Sequence, residues 1–184
     1  MSKARDRLVA TAGRLFGERG YECVGINEII AKAEIAKATF YQHFPSKEAL
    51  CAEWLRTEAE DSERTQRRLL EDPRTVRERL EDRFDALQRW LTEEDYPGCP
   101  FCTTAAMTEA GGELRELVAL QRKQSREFWR GLAAQHEPSH KAAKHLGDAW
   151  FLLYSGAITE ATNLRETWPV KKAKRAALNL GGWK

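Results

Sequence analysis

The 184 residues carry 30 Lys and Arg against 28 Asp and Glu, a formal charge of only +2. That near-balance excludes a histone-like polycation and gives no composition-level sign of a nucleic-acid partner. The longest uncharged stretch, Tyr96 to Thr108, has 13 residues, too short to span a bilayer, and no signal peptide is visible at the start. A cytoplasmic chain with no membrane partner is therefore expected. Four scattered cysteines make no disulfide framework. Valine and isoleucine number five each, whereas Ala, Leu, Glu and Arg abound, and no segment alternates with period 2. The expected fold is all-α.

In chain order, Leu8, Val9, Ala12, Leu15 and Phe16 form one face of a first helix that ends at Gly20. A short helix follows with Ile26, Ile29, Ile30 and Ala33 inward; Gly25 serves as its N-cap and Glu28 offers half of a capping box. A third short helix runs from about Ala36 to Phe44, and Ser46 caps a longer one beginning at Lys47. Between Arg56 and Arg83, 17 of 28 residues are charged, the pattern of a solvated helix face broken at Asp72-Pro73. Phe84, Leu87, Trp90 and Leu91 then supply an apolar stripe. After the loop at Tyr96–Pro100 comes a small-residue helix through Met107. Gly111-Gly112 separates it from an amphipathic helix that Pro138 closes. Residues 146–164 are apolar around most of the helical circumference and require burial, in a core or against a partner chain, and Pro169 opens the last helix.

The pair of short helices at 26–44 has the layout of a helix-turn-helix, whose second member can enter the DNA major groove. Ile35, Phe40 and Phe44 anchor that second helix. Lys37, Thr39, Tyr41, Gln42, His43 and Lys47 supply cations and polar groups for phosphates, with Lys, Thr and Gln able to reach base edges.

Within residues 8–50, LFGERGY, INEIIAKAEIAKATFYQHF and PSKEAL resemble the DNA-binding domain of the TetR/AcrR family of bacterial transcriptional regulators. The resemblance implies a three-helix helix-turn-helix domain at residues 1–50. A helical ligand-binding and dimerisation domain at 51–184 would follow, some nine helices in all. It also implies a homodimer formed through the last two helices, double-stranded operator DNA as partner, and a small-molecule inducer. Thr39, Tyr41, His43 and Lys47 would grip the DNA backbone, and Lys37 and Gln42 would lie where base-edge or groove contacts occur. Ala38 replaces a frequent Gly and would hold the backbone slightly farther from DNA. Glu34 takes a turn position usually held by Gly, which costs roughly 1 kcal/mol unless the turn relaxes. Ala36 forgoes the usual Ser or Thr cap, and Val24-Gly25 loses a hydroxyl contact to phosphate.

Residues 51–184 hold 22 basic and 22 acidic side chains, which argues against broad DNA binding there. In relatives the pocket lies among the fifth to eighth helices. That maps loosely onto Trp90, Phe101, Met107, Gln121, Phe128, Trp150 and Tyr154, a lining suited to a hydrophobic or aromatic molecule. Aromatics at helical spacing serve equally as plain core.

Cys99 and Cys102 form a CxxC at an expected helix N-terminus, where the macrodipole favours thiolate. One CxxC alone reads first as a pair of packing thiols; they are also candidates for a redox switch or half of a zinc site, and a thiol- or metal-dependent protein is the rival from another class. No second CxxC, phosphate-cradling loop, His-Glu-x-x-His or nucleophile elbow is present. The sequence thus points to a regulator, with no catalytic residues, metal or cofactor. Lys171, Lys172, Lys174 and Arg175 read as a solvated face.

Overall fold

The computed structural model describes residues 3–108 and 111–183. Among these residues the secondary structure is entirely helical: α1 (Lys3–Arg19), α2 (Ile26–Ala33), α3 (Lys37–His43), α4 (Lys47–Glu71), α5 (Val76–Glu93), α6 (Pro100–Met107), α7 (Glu113–Ala134), α8 (His140–Leu164) and α9 (Trp168–Leu180). The all-α expectation holds. Backbone contacts divide the chain into two compact units. One runs to Asp61 and adds Cys99–Gln121; the other takes Ser62–Gly98 and Arg122 onward. The functional division expected at residue 50 falls inside the first unit.

In the first unit, the apolar face read for α1 is buried: Leu8, Ala12, Leu15 and Phe16 pack with Ile29, Phe40, Leu50, Trp54 and Leu55. Phe101, Leu114 and Val118 join the same core. Ser46 Oγ accepts from the Ala49 amide at 3.0 Å, the cap expected for α4. The half capping box of α2 does not form. Gly25 is its N-cap, but Glu28 pairs with Arg19 instead.

The second unit surrounds Leu80, Phe84, Leu87, Leu91, Trp129 and Trp150. Alanines at 157, 161, 173 and 177 line the buried faces of α8 and α9. Thr75 opens α5 with a reciprocal capping box to Glu78. α8 begins at His140, ahead of the apolar run, because Ser139 Oγ accepts from the Ala142 amide at 3.4 Å. A Cβ on Gly147 would lie 2.5 Å from Arg130 Cα, so only glycine lets α8 approach α7 this closely. Arg79 is buried; its guanidinium donates to the Leu69 and Leu70 carbonyls ending α4 and to Gln135 Oε1. Burial around most of α8 is not reached in the single chain. Leu152 is 67% exposed, as its outward position on α8 dictates.

Candidate nucleic-acid interface

α3 has only seven residues, too few to be stable alone, so tertiary anchors must hold it. Phe40 is fully buried, and its ring centroid lies 6.3 Å from that of Phe44, itself buried just past the helix end. Ala36 opens α3 with no side-chain cap, as its methyl dictates. With Phe40 inward, Lys37, Ala38, Tyr41 and Gln42 form one exposed stripe at i, i+1, i+4 and i+5. Thr39 and His43 are half-buried on the flank. Tyr41 is 48% exposed although its ring meets Phe40 edge-on at 5.2 Å.

The turn before α3 resolves the question raised by Glu34. This residue adopts the left-handed conformation, φ 52° and ψ 48°. Its amide donates to Ala31 O at 3.2 Å and the Ile35 amide to Ile30 O at 3.1 Å, the paired bonds of a Schellman ending. Arg7 of α1 secures the turn from outside. Its Nε donates to Ala33 O at 3.1 Å, and its Nη2 donates to both Ala33 O and Glu34 O, the latter at 2.9 Å. Sequence reasoning passed over Arg7 because its partners lie 26 and 27 residues away and are backbone carbonyls, which leave no side-chain signature.

Lys47 has a second duty. Its Nζ donates to Tyr21 O at 3.0 Å and lies 4.1 Å from the Tyr21 ring centroid, a cation–π contact. An ammonium has three N–H donors, so others remain for a phosphate. Burial pushes the Tyr21 phenol up to about 12. Tyr21 is thus a neutral platform that fixes Lys47 at the start of α4, and no local pattern in the sequence pointed to it.

Likeness to known proteins decides the family. Residues 8–53 match the family described as bacterial regulatory proteins, tetR family. The helix-turn-helix segment therefore belongs to the TetR family. The chain is 39% identical over 97 residues to the HTH-type transcriptional repressor DhaR of Mycobacterium sp. (strain GP1); the match covers 52% of this chain and 47% of DhaR. It thus spans about half or less of the curated relatives it matches. The crystal structure of SCO4454, a TetR-family transcriptional regulator from Streptomyces coelicolor, superposes with TM-score 0.89 at 21% identity, covering 98% of this chain and 89% of that one. Reduced Escherichia coli NemR gives 0.83 at 20% identity, covering 97% and 96%. These likenesses establish a TetR-like fold over nearly all of the chain.

The residues expected to line a ligand pocket fall in both compact units, so neither unit assembles them all. In the first, Phe101 and Gln121 are buried and Met107 is 40% exposed. Gln121 Oε1 is a buried acceptor with no hydrogen-bond partner among the described residues. In the second, Trp90 sits at the surface, Phe128 and Tyr154 both pack against Trp129, and Trp150 Nε1 donates to Ala177 O at 2.9 Å. Cys99 is the N-cap of α6 and Cys102 is exposed on its first turn. Cys51 is different: burial pushes its thiol up to about 12, which keeps it protonated and inert. Among the described residues, no group of three His, Cys, Asp or Glu is placed to hold a metal, and no helix is long and apolar enough to cross a membrane.

Proposed function

We propose that this protein is a homodimeric DNA-binding regulator, a repressor released from its operator by a hydrophobic or aromatic small molecule. The observation that carries the DNA-binding reading is the exposed Lys37, Ala38, Tyr41, Gln42 stripe on a helix anchored by Phe40. Such a stripe suits the major groove, with Thr39, His43 and Lys47 at its flanks for phosphates. The match to a repressor, DhaR, supports the direction of control. Large apolar side chains left exposed on α8 and α9 (Leu152, Trp168 and Leu180) support pairing with a second copy through these helices. Pairing would set two recognition helices about 34–36 Å apart, one turn of DNA. The unpartnered Gln121 acceptor, buried in the same compact unit as Phe101 and Met107, supports an aromatic inducer carrying a donor. Its differential affinity for the DNA-incompetent state would drive release.

A gel shift on the DNA upstream of the protein's own gene tests the reading. Tyr41→Phe and Lys47→Ala should each weaken binding, and Lys47→Ala should lower the salt slope by about one unit per cation lost. Unchanged affinity and slope in both would refute it. The exposed Cys102 beside Cys99 favours one second reading, release by thiol oxidation. Oxidant should then release the wild type and spare Cys102→Ser; equal release of both excludes a Cys99–Cys102 switch.

A further inference from the structure

The outer side of α9 exposes Lys171, Lys172 and Arg175, as a solvated face does, and also carries a groove. Lys171, Lys174, Arg175, Leu178, Asn179 and Trp183 line a groove of about 430 Å³, within the size range of small-molecule sites. Its wall is preformed. Gly182 turns the chain at φ 81°, and the Trp183 amide donates to Leu178 O at 3.0 Å, folding the indole back over the helix end. The Trp183 ring then stacks on Trp150 at 6.2 Å and packs against His136 at 4.3 Å. A Cβ on Gly181 would collide with the Trp183 ring, so glycine is what admits the indole.

The charge pattern is unbalanced. Lys174 is held by Asp85 of α5, its Nζ 2.7 and 2.8 Å from the carboxylate oxygens. Lys171 and Arg175, both exposed, have no ion-pair partner among the described residues, and like charges at i,i+4 disfavour a helix. Two unmatched cations beside an indole and a leucine complement one kind of molecule. We infer that this groove binds a small aromatic anion, its carboxylate or sulfonate between Lys171 and Arg175 and its ring against Trp183 and Leu178. At helical spacing Leu180 projects well away from Lys171, Arg175 and Leu178, whereas exposed Trp168 shares the face of Lys171 and Arg175 at i,i+3 and i,i+7, so the groove borders the surface proposed for pairing. The inference stands apart from the proposed inducer, since its measurement needs no DNA.

The test is calorimetric titration of the full chain with 2-naphthoate and with its neutral counterpart, 2-naphthamide. Naphthoate should bind at least tenfold more tightly than the amide. Lys171→Gln combined with Arg175→Gln should lose that preference, and Gly181→Ala should weaken both probes by displacing Trp183. Circular dichroism confirms that the variants fold. Equal binding of the two probes to wild type, or an undiminished preference in the double variant, overturns the inference. So does a change of oligomeric state in the double variant, because the groove would then be covered by a second copy.

Discussion

Glu34 shows how one residue can break a local preference and be held by a distant one. A non-glycine residue in the left-handed region costs about 1 kcal/mol. Here the Schellman bonds and the Arg7 guanidinium offset it. Glu34→Gly is therefore expected to raise stability by about 1 kcal/mol. Arg7→Ala should lower it by a similar amount, about 1 kcal/mol, through lost bonds to Ala33 and Glu34. Urea unfolding of the two variants and of the double variant checks this, because Glu34→Gly should recover most of what the Arg7 change loses. A destabilising Glu34→Gly would mean that the turn depends on the glutamate side chain itself. That Glu34 departs from the usual glycine was legible from sequence. That Arg7 compensates was not, since an arginine–carbonyl bond depends only on where the folded backbone passes.

Among the elements, α7 and α8 illustrate a junction of charge and close approach. Gly147 brings the two helices together, and Asp148 beside it receives paired bonds from Arg126 at 2.7 and 2.6 Å and from Arg130 at 2.7 and 2.8 Å. Hydrogen bonds from Arg126 and Arg130 hold the Asp148 carboxyl well below the usual carboxylate range. A carboxyl depressed in the folded state contributes stability that is full above its unfolded value, about 4, and lost progressively as pH falls toward its folded one. Solvent screening limits the effect to about 1 kcal/mol. Asp148→Asn should thus be less stable than wild type at pH 6, and the difference in urea midpoints should shrink steadily below about pH 4. A constant gap down to pH 2 would rule out the ionised network. Helix periodicity marked α7 and most of α8, yet the start of α8 was missed. Its first turn is polar, and only Ser139 signals it.

For the whole molecule, the +2 charge is informative once it is located. Residues 1–50 hold 8 basic and 6 acidic side chains, so the entire excess lies in the helix-turn-helix end. Bulk attraction to DNA is therefore small, and the operator affinity proposed above must come from docked contacts by two copies. Binding to an unrelated duplex near physiological salt should be no tighter than about 10 μM, which leaves out the tightest part of the ordinary non-specific range. A fluorescence-anisotropy titration measures it. Affinity for random DNA equal to that for the operator would show that bulk charge, and not the α3 stripe, governs binding.

Sequence by itself determined the all-helical class, the anchoring of α3 and part of its outward side, since Thr39 and His43, expected outward too, are half-buried. Those features follow from local spacing: Phe40 and Phe44 must turn inward, which leaves Lys37, Tyr41 and Gln42 on the other side. Tertiary structure decided what distance along the chain conceals. It placed Tyr21 beneath Lys47, Arg7 on the turn at Glu34, and Asp85 on Lys174, leaving Lys171 and Arg175 beside the Trp183 groove. Periodicity reports which side of a helix is buried. The partners across the fold are fixed by packing and by backbone groups that carry no letter in the sequence.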